Sequence, residues 1–228
     1  MKVLVIIPAY NEEESIAATV REVREKAPWA EILVVNDCSE DATEVRLKEL
    51  KVRHLILPVN LGIGGAVQAG YRYALENAYD AAVQLDGDGQ HDPAYLEALT
   101  VPIEKDEADL VTGSRFIERE GFLSSGLRRF GIGFLNGLIR LLTGVKVTDA
   151  TSGFRAVSAR LIALYAEEYP IDYPEPEAIV MARMHGARVE EIPVIMRERS
   201  GGQSSIRPLH TIYYMTKVSL AILLRRLG

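Results

Sequence analysis

Two carboxylates one residue apart, Asp86 and Asp88, lie in the stretch Gln84-Leu85-Asp86-Gly87-Asp88-Gly89-Gln90-His91-Asp92-Pro93. The apolar run Ala81-Ala82-Val83 comes just before, so the acids fall where a buried strand ends and a turn begins. Gly87 and Gly89 allow the tight backbone that brings both side chains to one point. Like charges so placed repel each other unless a cation lies between them. Oxygen ligands favour a hard ion, Mg²⁺ or Mn²⁺. Mg²⁺ takes one or two protein carboxylates and completes its shell with water and substrate phosphates. The pair therefore points to metal-assisted chemistry on a phosphorylated substrate.

Two other readings of this turn stay open. Asp86, Asp88, Gln90, Asp92 and Glu97 fall at positions 1, 3, 5, 7 and 12 of a calcium EF-hand loop. That match is weak, because His91 stands where glycine is needed, Pro93 follows, and the preceding segment reads as a strand. The turn could also be a solvated loop holding no metal.

The elements that must position these acids follow from periodicity. Val3 to Ile7 is a buried-strand run ended by Pro8. Asn11 with Glu14 reads as a capping box, followed by the helical stripe Ile16, Val20, Val23 and Ala27. Strands are expected at 32–35, 54–57 and 80–85, with helices from about Asp41 to Leu50 and from Gly64 to Asn77. Repeated strand–helix units imply right-handed crossovers and an α/β fold with a mainly parallel sheet covered on both faces. Ligands then gather at the carboxyl ends of the strands, where the Pro8–Glu12, Asn36–Ser39 and Asp86–Gln90 turns all fall. The second half is less regular. Strands are expected at 109–112 and 189–196, a helix at 128–142, a loop at 116–126 and a polar loop at 199–205.

Composition narrows the function classes. The 228 residues, 48% hydrophobic and 25% charged, suit one domain with a full core. A net charge of −6 argues against generic nucleic-acid binding. Cys38 is the single cysteine, so no internal disulfide can form, which suits a reducing cytoplasm. The N-terminal apolar run is too short for a signal peptide, and no apolar stretch is long enough to span a bilayer.

Pro8-Ala9-Tyr10-Asn11-Glu12, Asn36-Asp37-Cys38-Ser39, Asn60-Leu61-Gly62-Ile63-Gly64-Gly65-Ala66, Asp86/Asp88, Gly113-Ser114-Arg115 and Thr151-Ser152-Gly153-Phe154-Arg155 occur in that order. The series resembles family 2 glycosyltransferases of GT-A fold, and most of all their dolichol-phosphate mannose synthase and polyprenyl-phosphate branch. The resemblance implies roles. Pro8, Ala9, Tyr10 and Glu12 would line the base and ribose, Asp37 would hydrogen-bond one of them, and Gly64 would lie against the donor. Asp86 and Asp88 would hold Mg²⁺ or Mn²⁺ with Gln90 as an added ligand. Arg115 and Arg129, with Arg128 as a neighbour, would hold phosphates. Arg199 and Ser204 would close over the diphosphate. The implied reaction moves a sugar from a nucleotide-sugar donor to a polyprenyl phosphate acceptor, with inversion.

Each role has a bland counterpart. Asp37 could simply cap a helix, and any one arginine could be an ordinary surface residue. Arg155 could support the fold without touching substrate. Glu175 and Glu177 read either as the start of a helix, where acids suit the dipole, or as the home of a general base for a hydroxyl acceptor. Departures from the family pattern fall at Asn36, where an acid is usual, and at Ile63 and Ser205, where lysine is common in this branch. A transferase acting on a saccharide hydroxyl, a nucleotidyltransferase and a non-catalytic nucleotide-sugar-binding module remain as alternatives.

The chain divides by expectation into a catalytic domain, 1–206, and an apolar C-terminal helix, 207–228. That helix could lie in the membrane interface with Arg225 and Arg226 at the headgroups, pack against a second copy in a homo-oligomer, or complete the core. The expected location is the cytoplasm, at the inner face of the membrane.

Overall fold

The structure, a computed structural model, describes residues 1–118, 126–172, 174–198 and 217–223, with side chains for all of these except 126–128. A 7-stranded sheet forms in the order β3-β2-β1-β4-β6-β5-β7. Its strands are β1 (Val3–Ala9), β2 (Glu31–Asn36), β3 (His54–Ile56), β4 (Ala81–Gln84), β5 (Leu110–Ser114), β6 (Arg155–Ser158) and β7 (Val189–Pro193). Every neighbouring pair is parallel except those made by β6, which runs against both β4 and β5. β1 is buried along its whole length, as expected of a central strand with helices on both faces.

Alternation along the strands feeds two separate cores. Leu4, Ile6, Leu33, Val35, Ala82, Leu110 and Val157 face one side. There they meet α3 (Gly62–Glu76), α5 (Gly126–Thr143), α6 (Ala159–Glu167) and α7 (Pro174–Met184). Val3, Val5, Ile7, Val34, Val83 and Val111 face the other side, against α1 (Ile16–Lys26), α2 (Thr43–Leu50) and α4 (Leu96–Glu104).

The fold agrees with the expected mainly parallel α/β sheet and departs from it locally. The capping box is not formed. Asn11 adopts a positive φ of 55° and its Oδ1 accepts from the Glu40 N–H at 2.8 Å, so α1 begins only at Ile16, after a turn closed on the Glu12 carbonyl. The strand before Asp86 and the 3-10 turn over Pro93–Tyr95 rule out the helix–loop–helix of an EF-hand. Residues 217–223 are helical, and Val218 and Ile222 are buried in the core that α3, α5, α6 and α7 share. Leu220 and Leu223 remain exposed.

Candidate active site

The carboxyl edge of the sheet brings three turns together. The Asp37 N–H donates to the Ala9 carbonyl at 2.9 Å, which ties the turn after β2 to the end of β1. Pro8 and Ala9 are buried in β1, whereas Tyr10 stands exposed beside them. Glu12 is buried, with its Oε2 accepting from Ser15 Oγ at 2.6 Å and its N–H donating to Thr43 Oγ1 at 2.9 Å. Asp37 is buried, and its Oδ1 accepts from the Leu61 N–H at 2.7 Å. It therefore does cap a helix, but the helix is α3 rather than the next one in sequence. Burial raises the Asp37 pKa, and the Leu61 and Gly62 N–H groups oppose that shift. At Gly64 a Cβ would lie 2.2 Å from the Pro170 carbonyl oxygen and 2.3 Å from that of Ile171, so close packing of protein backbone already requires glycine there.

The acidic turn follows β4. Asp86 shows 34% of its side chain to solvent, and Asp88 is nearly buried, with its Oδ1 accepting from the Gln90 N–H at 3.0 Å. Gly89 takes a φ of 78° to turn the chain between them and Gln90. Thr19 Oγ1 of α1 donates to the Gly87 carbonyl at 3.1 Å and fixes the turn from below. Gln90 Nε2 donates to the Arg197 carbonyl at 3.4 Å, and the Arg197 N–H returns a bond to the Gln90 carbonyl at 3.0 Å. Arg197 also pairs with Asp92 at 2.6 Å and Glu22 at 2.8 Å. The acidic turn is thereby fastened to α1 and to the segment after β7.

Arg115 and Arg129 differ in burial. Arg115 is buried and forms a two-point pair with Asp149, Nε to Oδ2 at 2.6 Å and a terminal nitrogen to Oδ1 at 2.8 Å. It also donates to Thr151 Oγ1 at 3.1 Å. These bonds engage Nε and one terminal nitrogen of the guanidinium and anchor Arg115 to the 149–151 turn. Arg129, near the start of α5, is exposed. Arg155 is fully buried and donates to the Ser152 and Glu175 carbonyls, joining the Thr151–Arg155 stretch to the first turn of α7. Glu175 and Glu177 both lie in that first turn. Arg128's side chain, Arg199 and Ser204 lie outside the described residues.

Several residues at this edge escaped the sequence reading. Glu191 of β7 accepts from the Thr148 and Asp149 N–H groups at 2.7 and 2.9 Å, and so presents Asp149 to Arg115. Gln84 and His91 flank Asp86. A signal for Gln84 existed: a polar residue two before Asp86 lies on the same face of an otherwise apolar strand.

Among the described residues, no group of three or more His, Cys, Asp or Glu side chains could hold a metal ion alone. Two carboxylates and the Gln90 amide fit a cation that draws its remaining ligands from a substrate diphosphate. Residues 4–164 match the family described as glycosyl transferase family 2, and the chain belongs to it. It is a glycosyltransferase of GT-A fold.

Among its relatives, the undecaprenyl-phosphate mannosyltransferase of Micrococcus luteus is 36% identical over 90% of this chain and 88% of its own. The UDP-N-acetylglucosamine--dolichyl-phosphate N-acetylglucosaminyltransferase of Methanococcus voltae is 32% identical over 84% of each. Glucosyl-3-phosphoglycerate synthase of Mycobacterium tuberculosis shares the fold, with a TM-score of 0.76 at 22% identity, over 99% of this chain and 79% of its own.

Proposed function

We propose that the protein transfers a sugar from a nucleotide-sugar to a polyprenyl phosphate, inverting the anomeric carbon. The observation that carries this reading is the near-full-length likeness to relatives named for undecaprenyl and dolichyl phosphate, in a chain that keeps the Asp86–Asp88 turn at the sheet edge. The two relatives' names differ in the sugar and share the lipid phosphate, so the acceptor class is the better supported part.

Pro8, Ala9, Tyr10, Glu12 and Asp37 place the base and ribose. Asp86, Asp88 and Gln90 would hold the cation, with Gln90 Nε2 left on the Arg197 carbonyl. Bound Mg²⁺ or Mn²⁺ supplies positive charge against the departing diphosphate. Arg129 meets a phosphate at the exposed start of α5, and Arg199 and Ser204 are assigned to the diphosphate by the resemblance. A phosphate nucleophile is already ionised at neutral pH, so no strong base is needed. Glu177 is the base only if the acceptor is a hydroxyl.

A lipid-borne acceptor requires contact with a bilayer surface. No helix among the described residues is long and apolar enough to cross a membrane. Peripheral contact is better supported on α5. Its inner face sets Leu135 and Ile139 in the core, yet Phe130, Phe134 and Leu141 are 78%, 55% and 81% exposed on the outer face. Arg129 and Arg140 flank that face, as suits anionic headgroups.

The test supplies labelled GDP-mannose, UDP-glucose and UDP-N-acetylglucosamine with undecaprenyl phosphate and Mn²⁺. One donor is expected to yield a lipid-borne product, lost with chelator and in a folded Asp88→Ala variant. Transfer only to saccharide hydroxyls overturns the acceptor assignment.

A further inference from the structure

Gln84 is fully buried at the end of β4, and its Oε1 has no hydrogen-bond partner among the described residues. A buried amide with one end unpaired destabilises a fold, and a Leu or Met of similar size would fill the space without that penalty. The other end of the amide explains its presence. Gln84 Nε2 donates to Asp86 Oδ1 at 3.3 Å. Reversing the amide would set an oxygen against the carboxylate, so this orientation is the one that pairs donor with acceptor. Gly153 leaves room for the contact: a Cβ there would lie 2.9 Å from Gln84 Nε2 and 3.2 Å from Asp86 Oδ2.

His91 closes on Asp86 from the other side. The Asp86 backbone N–H donates to His91 Nδ1 at 3.0 Å. The proton of the neutral ring is therefore on Nε2, the nitrogen that faces Asp86 Oδ2 at 3.7 Å. Stacking on Phe154, with centroids 4.8 Å apart and planes 9° from parallel, fixes the ring in that attitude. Asp86 thus has a buried nitrogen beside each carboxylate oxygen, Gln84 Nε2 bonded to Oδ1 and His91 Nε2 3.7 Å from Oδ2, while a third of the side chain stays open to the edge.

We infer that Gln84 and His91 are positioning residues that set the Asp86 carboxylate to receive the cation of the donor complex. The inference rests on the reading of Asp86 as a metal ligand. Outer groups that orient a ligand typically change metal affinity by about 10–100-fold when removed.

Mn²⁺ alone is titrated into the full chain and followed by electron paramagnetic resonance, then again with GDP and with UDP present. Gln84→Met keeps the volume and removes both the donor and the unpaired oxygen. His91→Phe keeps the stack on Phe154 and removes both nitrogens. Each is expected to weaken Mn²⁺ binding by about tenfold or more. Gln84→Met is also expected to hold or raise the thermal midpoint, so stability and metal affinity move in opposite directions, which a merely structural residue would not produce. His91→Asn, whose Oδ1 can still accept the Asp86 N–H, is expected to fall between His91→Phe and the unaltered chain. Mn²⁺ affinity within about twofold of the unaltered chain in both Gln84→Met and His91→Phe overturns the inference, provided Asp86→Ala loses binding. If Asp86→Ala binds Mn²⁺ as well as the unaltered chain, the ligand reading itself falls and takes the inference with it.

Discussion

Arg115 and Asp149 form the most deeply buried of the ion pairs among the described residues, 7% and 0% exposed. Removing one member of such a pair leaves an unbalanced charge in the interior, at a cost of about 3–5 kcal/mol. Arg115→Ala is accordingly expected to lower unfolding free energy by about that much in denaturant titration. Replacing both residues by apolar side chains is expected to recover most of the loss. A stable Arg115→Ala variant with a raised KM for the acceptor would instead support the phosphate role that the resemblance implies. That role is one the family resemblance implies, carried in part by Gly113-Ser114-Arg115. The residue that claims the guanidinium lies 34 positions later and is visible only once β5 and the 148–151 turn are side by side. Asp86 and Asp88, by contrast, were legible as a pair because both sit in one short turn after an apolar strand. Gln84 was legible only as an unexplained polar residue, since its partner and its unpaired oxygen both depend on tertiary packing.

At the scale of elements, α3 is held by close backbone approach. Gly64 meets the carbonyl oxygens of Pro170 and Ile171, whereas a Cβ at Gly70 would meet Ile6 Cγ2 at 2.4 Å. Backbone carbonyls of a packed turn cannot rotate aside, but the Ile6 side chain has other rotamers. Gly64→Ala is therefore expected to destabilise the protein more than Gly70→Ala, with overpacking costs of about 1–3 kcal/mol setting the scale. Because Asp37 caps α3 through Leu61, Gly64→Ala is also expected to weaken nucleotide binding; equal melting points for the two variants would sink this account. The strand–helix alternation of residues 3–85 was readable from apolar periodicity alone. β6 was not, because fully buried Arg155 interrupts the apolar pattern of a 4-residue strand. α4 was hidden by Pro102, which stands inside the helix and signals a break in sequence.

For the molecule as a whole, α5 is the element whose environment is incomplete. Phe130→Asp with Phe134→Asp is expected to abolish sedimentation of the full chain with anionic vesicles at low salt, with no change of mass in gel filtration. Sedimentation unchanged in the double variant, or a dimer that it dissolves, would hand this face to another partner. Deleting the C-terminal segment would be a poor test, since Val218 and Ile222 are part of the core and their loss would open it. The sequence placed the apolar surplus in that segment because it is rich in apolar residues, interrupted by Lys217 and followed by Arg225 and Arg226; which face of which helix stays uncovered is a property of packing. The position of β6 has a further consequence, for the order in which the chain can assemble. β6 sits between β4 and β5, so neither strand has its partner on that side until residues 155–158 have been made. Between Gln84 and Arg155 lie 70 residues (155 − 84 − 1). At ribosomal speeds of about 5–20 residues per second, that interval lasts about 4–14 s. During it the apolar edge of β4 is an open template for other chains. The strand that completes the catalytic edge is thus also the one whose late arrival sets how long the nascent protein needs shielding.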